Sequence, residues 1–339
     1  MDKMTSRLVA AALVGGLAVL SAGCAANAAA PAGGHPSAAA AGSTALPNPF
    51  TVLARYGVKP LGLDHPVALA IGPDGNLYVT DDSQRVTVIS PAGKVMRRWG
   101  KPGTAPGEFK FIGGDPTTPA NVNGKITVGR NGMVYVSDSG NARVQVFSPQ
   151  GRFIRQFGSL GSGKGQFLSP GDLVVDGSGN LYVADDQSQT LAKFSPTGKV
   201  IWQIGGSSSS DQDLLGHFHL ATIDAHGRLV MVNDDQHRVL YIDPSGHKVD
   251  AFSPNYSSLT GGNVCEATVD AAGNTYLSGC GESSTEPSLV YDRAHRLIAK
   301  WPGTKYSLRH SPVFGPDDEV FALATDESIL RLRITLPAR

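Results

Sequence analysis

The octapeptide GNLYVTDD at 75–82 returns as GNLYVADD at 179–186, with GMVYVSDS at 132–139 between them. A chain that spells one short stretch three times is built from repeated units, each too small to bury an apolar face without its neighbours. Extending the last copy outward gives SPGDLVVDGSGNLYVADDQSQTLAKFSPTGKVIWQIG, residues 169–205. Its runs DLVVD, NLYVAD, TLAKFS and KVIWQIG are short and rich in β-branched and aromatic residues. The segments DGSG, DDQSQ and SPTG separate them with turn formers. Four short strands with short connections make an antiparallel meander.

The landmark that opens the second strand recurs at Gly75, Gly132, Gly179, Gly227, Gly273 and Asp318, at intervals of 45 to 57 residues. No window shows 3.6-residue periodicity, which excludes a solenoid of helix pairs. Six four-stranded units predict an all-β fold, a six-bladed β-propeller over 48–339. The sixth repeat, 311–337, supplies only three strands, whereas FTVLARYG at 50–57 reads like the fourth strands KVIWQIG and RFIRQFG. The N-terminal strand is therefore expected to complete the last blade and close the ring, which removes an exposed sheet edge.

Two stretches carry a more specific resemblance. GQFLSPGDLVVDGSGNLYVAD (165–185) and GNARVQVFSPQGRFIRQFG (140–158) resemble NHL repeats in the G-Q-F connector, the paired first strands and the N-x-R-V-Q-V-F third strand. The likeness is strongest in the first three blades and fades towards GNTYLSGCG (273–281) and DEVFALATD (318–326). It implies an NHL-type disc whose faces bind proteins or other ligands.

Residues 1–23 read as an export signal. Lys3 and Arg7 precede the apolar run 8–20, which at thirteen residues is shorter than the roughly 20 a bilayer requires. LSAGC resembles the lipobox of bacterial lipoproteins, which implies lipidation of Cys24, although Ser21 stands where that family usually has Leu. Ordinary secretion with cleavage after Ala28 is the alternative. Residues 24–47 are mostly Ala, Gly, Pro and Ser without acid, Lys or Arg or apolar period, the composition of a disordered tether. The expected location is the extracytoplasmic face of a bacterial membrane, held through the lipid anchor only.

With Cys24 lipidated, Cys265 and Cys280 remain, and an exported pair predicts a disulfide. Counting from the turn at 270–273 places Cys265 opposite Ser278, so the strand ends must bend for the bridge to form. Asp81 with Arg85, and Asp138 with Arg143, recur between blades and read as structural pairs, because an active site is normally singular. Trp99, Trp202 and Trp301 fall in fourth strands and read as packing between blades.

Formal net charge is zero and no Lys/Arg cluster is visible, so nucleic acid is not an expected partner. No nucleophile elbow, H-E-x-x-H helix or phosphate loop occurs. The main expectation is a binding scaffold for an envelope protein or a small extracellular ligand, with no cofactor required. The connector 101–124 is longer than its counterparts and is expected over one face, as a recognition loop or a tolerated insertion. The alternative is an enzyme. Gluconolactonase-like lactonases and the amidating lyase resemble this architecture and use a metal at the channel mouth, although neither transfers a ligand set here. Aligning the first strands brings Asp172, His219, Glu266 and His310 to one sector of the ring. Such a set suits ligand binding or a divalent ion such as Zn²⁺ or Ca²⁺. His65 and His217 fall near the same mouth.

Overall fold

Tandem meanders bury their faces by stacking radially, and the chain forms a ring of six four-stranded antiparallel sheets. The computed structural model describes residues 46–111, 124–206, 212–214, 216, 218–256, 264–279, 287–301, 308, 312–315 and 319–337. Blade 1 comprises β2 (Pro66–Ile71), β3 (Leu77–Asp81), β4 (Arg85–Ile89) and β5 (Val95–Trp99). Blade 2 comprises β6 (Ile126–Val128), β7 (Val134–Asp138), β8 (Arg143–Phe147) and β9 (Phe153–Phe157). Blade 3 follows with β10 (Pro170–Val175), β11 (Leu181–Asp185), β12 (Thr190–Phe194) and β13 (Val200–Gly205). Blade 4 holds β14 (Phe218–Ile223), β15 (Leu229–Asn233), β16 (Arg238–Ile242) and β17 (Lys248–Phe252). Blade 5 holds β18 (Val264–Val269), β19 (Thr275–Gly279), β20 (Ser288–Tyr291) and β21 (Leu297–Trp301). β22 (Val313–Phe314), β23 (Val320–Leu323) and β24 (Ile329–Ile334) form blade 6, and β1 (Phe50–Tyr56) is its outermost strand. Closure by the N-terminal strand is thus as expected.

Four positions of the repeated octapeptide have a visible structural task. Gly75, Gly132 and Gly179 take φ of 74°, 75° and 81°, which a side chain would disfavour. Asn76 and Asn180 donate through their side-chain amides to the turn aspartates Asp74 and Asp176. Tyr78, Tyr135 and Tyr182 are buried between blades. Asp81, Asp138 and Asp185 are buried where the second strand ends. Asp138 accepts from the Lys110 backbone N–H at 2.7 Å, from Asn141 and Gln145, and from Arg143 Nε at 2.7 Å. Asp185 accepts from the backbone N–H groups of Leu168 and Ser188.

Among the described residues, six apolar clusters fill the spaces between neighbouring blades. The cluster joining blades 6 and 1 combines Phe321, Leu323 and Ile329 with Leu77, Val79 and Ile89. Second strands are buried along their whole length, whereas the outermost β5 and β9 alternate between half-buried and exposed. Trp99 packs 5.9 Å from Phe147 of the next blade, and Trp301 lies 4.6 Å from Phe50. Trp202 donates to the carbonyl of Pro244 in blade 4. These tryptophans are packing between blades. No described helix is long and apolar enough to cross a membrane.

One expectation needs correction. Glu266, not Cys265, lies opposite Ser278, because a register shift between Val264 and Glu266 makes Cys265 the bulged residue. Counting back from the turn assumed a regular ladder and missed that extra residue. Just before β1, the Pro47 carbonyl accepts from the Lys300 N–H at 3.1 Å. Cys24, Cys280, His217 and His310 lie outside the described residues, as do 1–45 and 112–123 of the long connector.

Candidate functional site

The first strand of every blade faces the ring axis, and together these strands line a cavity of about 320 Å³. Most of the residues that line it are aliphatic, Ala68, Ile126, Val128 and Val175 among them, while Lys125, Asp172 and Glu266 stand where the inner strands begin. Bulges recur there, between Pro66 and Ala68, Pro170 and Leu173, and Val264 and Glu266. A bulge re-aims the side chains beside it, and these turn polar groups towards the mouth.

Lys125 precedes β6 in blade 2 and reaches Asp172 of blade 3 and Glu266 of blade 5. Its ammonium lies 3.2 Å from Asp172 Oδ1 and 3.4 Å from Glu266 Oε1. Blades 2 and 5 are opposite in a ring of six, so this one side chain spans the channel mouth. The other oxygen of Asp172, Oδ2, is 3.2 Å from His219 Nδ1, and His219 Nε2 is 3.8 Å from Asp234 Oδ2. A carboxylate can only accept, so Nδ1 carries the proton facing Asp172.

Burial opposes charge on all three groups, but their mutual attraction outweighs it. Asp172 is held below the usual carboxylate range by Lys125 and His219 in spite of burial. Lys125 is raised above an ordinary lysine, because Asp172 and Glu266 offset its desolvation. His219 is raised to about 10, because hydrogen bonds to Asp172 and Asp234 overcome burial. At neutral pH the cluster therefore holds an ammonium, an imidazolium and ionised Asp172. An imidazolium has no free lone pair for general-base work, and an ammonium is no nucleophile.

The structure brings three of the four expected residues, Asp172, His219 and Glu266, to one place. Lys125 was missed as a member, although it shares an aligned position with Asp172 and Glu266. Asp234 was missed too, and a signal for it exists. Asp82, Asp186 and Asp234 directly follow the strand-ending Asp81, Asp185 and Asn233. Asp234 faces His219, and Asp186 lies so close to Gly171 that a Cβ there would be 2.6 Å from its Oδ1. His65 pairs instead with Asp64 at 3.0 Å and with Glu327 at 3.5 Å.

The residues as they stand do not fit a divalent ion between Asp172 and Glu266. The Lys125 ammonium holds the position such an ion would need. One donor atom each of His219, Asp234 and Cys265 also lies within 4.8 Å of the others. Cys265 is disulfide-bonded, however, and a disulfide sulfur is not a thiolate ligand.

Known proteins agree with this architecture. The sequence pattern of a six-bladed beta-propeller family matches residues 123–204. The chain folds as a six-bladed β-propeller, and part of its length is similar to NHL-repeat proteins. It is 25% identical over 176 residues to Protein brain tumor of Drosophila melanogaster, covering 52% of this chain and 16% of that protein. It is 30% identical over 95 residues to NHL repeat-containing protein 3 of Mus musculus, covering 27% of this chain and 24% of that protein. The chain thus spans less than a quarter of the length of either relative. Among solved structures, a catalytically inactive virginiamycin B lyase from Staphylococcus aureus with quinupristin superimposes with a TM-score of 0.55 at 13% identity. That match covers 84% of this chain and 100% of the lyase. A gluconolactonase from Xanthomonas campestris gives 0.58 at 13% identity, over 85% of this chain and 89% of that one. At such identities the likeness is one of fold alone.

Proposed function

We propose that this chain is a binding propeller, exported and lipid-anchored through Cys24, that displays its channel mouth to a polar ligand or an envelope protein. The observation that carries this reading is the Lys125 ammonium set between Asp172 and Glu266. It occupies the space between these two carboxylates from within the chain, which supports a polar binding mouth at which a divalent ion has no place between them. The basic start, the short apolar run and Cys24 support export and anchoring. Mass spectrometry of the mature N-terminus should find a diacylglyceryl group on Cys24, and a free amine at Ala29 would replace the anchor with plain secretion.

The second reading, a metal-dependent lactonase-like or lyase-like enzyme, draws on the meeting of Asp172, His219 and Glu266 at the mouth. Elemental analysis of the chain purified without reductant separates the two. The binding reading expects far less than one equivalent of any divalent ion. A full equivalent that survives dialysis with the Cys265 disulfide intact, and is lost in His219→Ala, would favour the enzyme reading instead, and metal-dependent turnover of a lactone or lyase substrate would then be its direct test.

A further inference from the structure

We propose that reduction of the Cys265 disulfide turns this mouth into a zinc site formed by His219, Asp234 and Cys265. This goes beyond the binding reading and does not depend on it. Three donor types converge from three elements: an imidazole from β14, a carboxylate from the loop after β15, and a sulfur from the bulge of β18. Their atoms lie within 4.8 Å of one another, so small side-chain rotations can place all three about 2.0–2.3 Å from one zinc ion.

The supporting shell is in place. His219 presents Nε2 towards Asp234 while Nδ1–H is held by Asp172 Oδ2 at 3.2 Å. Asp172 is fixed in turn by Lys125 through its other oxygen. A carboxylate on the distal nitrogen is the usual orienter of a zinc-bound histidine. A sulfur, nitrogen and oxygen set selects zinc over calcium or magnesium, which take oxygen ligands. Three protein ligands leave a fourth position open.

A dithiol reductant attacks the disulfide and becomes a disulfide itself, and Cys265 and its partner become thiols. Zinc then displaces the thiol proton of Cys265 and the Nε2 proton of His219, so binding releases protons to solvent.

Cobalt(II) serves as the spectroscopic probe, added to the full chain with or without a water-soluble phosphine. The phosphine takes an oxygen atom from water and leaves the two hydrogens on the sulfurs. Reduced protein should bind one equivalent of cobalt, with thiolate-to-metal charge-transfer absorption and tetrahedral visible bands that zinc abolishes. Oxidised protein should show neither. Cys280→Ser, which removes the expected partner, should bind cobalt without any reductant. Cys265→Ser should lose the charge-transfer band, and His219→Ala should weaken binding at least tenfold. Circular dichroism melts establish that each variant is folded. An unchanged band in Cys265→Ser, or none in either reduced wild type or Cys280→Ser, would overturn the site. Metal-free oxidised protein leaves the binding reading intact in every case.

Discussion

Asp81, Asp138 and Asp185 are fully or almost fully buried, and each holds loop groups to the end of its second strand. The following residues, Asp82 and Asp186, stand on the mouth side, where Asp82 Oδ2 lies 3.9 Å from exposed His65. Asp138→Ala should therefore cost about 3–5 kcal/mol, since it strands the buried Arg143. Asp82→Ala should cost less than about 1 kcal/mol. Denaturant unfolding of the two variants measures the contrast, and equal losses would refute the division of labour. The first role was readable from repetition, while the second left only a weaker signal, since Asp82, Asp186 and Asp234 share a place in three blades and repetition alone reads as structural. His219 gives a pH test on oxidised, metal-free protein. Its folded pKa is raised from 6.5 to about 10, so its stabilising contribution is complete below pH 6.5 and fades as pH rises through about 10. Asp172 is depressed, so its contribution is lost only as pH falls below the ordinary carboxylate range. The stability gap between wild type and His219→Ala should shrink from pH 6.5 to 10. A histidine NMR signal titrating near 6.5 and assigned to His219 would contradict this.

At the scale of elements, the inner strands were legible as strands and illegible in their first two residues. The repeat and the β-branched and apolar residues locate β10 and β18, but nothing in DLVVD or CEATV announces a bulge. The bulge decides where Asp172, Cys265 and Glu266 point, and it brings an imidazole and a carboxylate from adjacent blades to 3.2 Å. Lys125 was hidden for another reason. Its role depends on the reach of a long side chain across the ring, and alignment of repeats reports position along a strand but no distance across the axis. The bulge at Cys265 also supplies the bend that a regular hairpin lacks. Non-reducing peptide mapping should join Cys265 to Cys280 and leave no free thiol at either. Two free thiols there would remove the staple expected for blade 5, together with the oxidised state from which the zinc site is released.

For the molecule as a whole, stability is shared around a closed ring, and closure depends on the strand furthest from its partners in sequence. β1 pairs with β24 from Phe50 opposite Ile334 to Tyr56 opposite Ile329. Phe50 is buried with Trp301, Tyr276 and Leu332, so it joins blades 5 and 6. Tyr56 donates to the Pro91 carbonyl of blade 1 at 2.7 Å, and Arg55 meets Asp326 at 2.6 Å. Removing 50–57 would expose the edge of β24 and the apolar seams on both sides of blade 6. Emptying the Phe50 site alone should cost about 3–5 kcal/mol. With roughly 2–4 °C per kcal/mol for a domain somewhat smaller than this one, the deletion should lower the melting temperature by about 10 °C or more. Phe50→Ala should reproduce part of that loss, because it keeps the β1–β24 ladder but empties the seam. A chain beginning at Leu63 that melts with the intact protein would show that the ring holds without its N-terminal strand. The same deletion should leave the Lys125–Asp172–His219 contacts formed for as long as the ring stays folded, since those residues belong to blades 2, 3 and 4. Losing closure and losing the mouth are therefore separable, and His219 chemical shifts followed through the melt would tell one from the other.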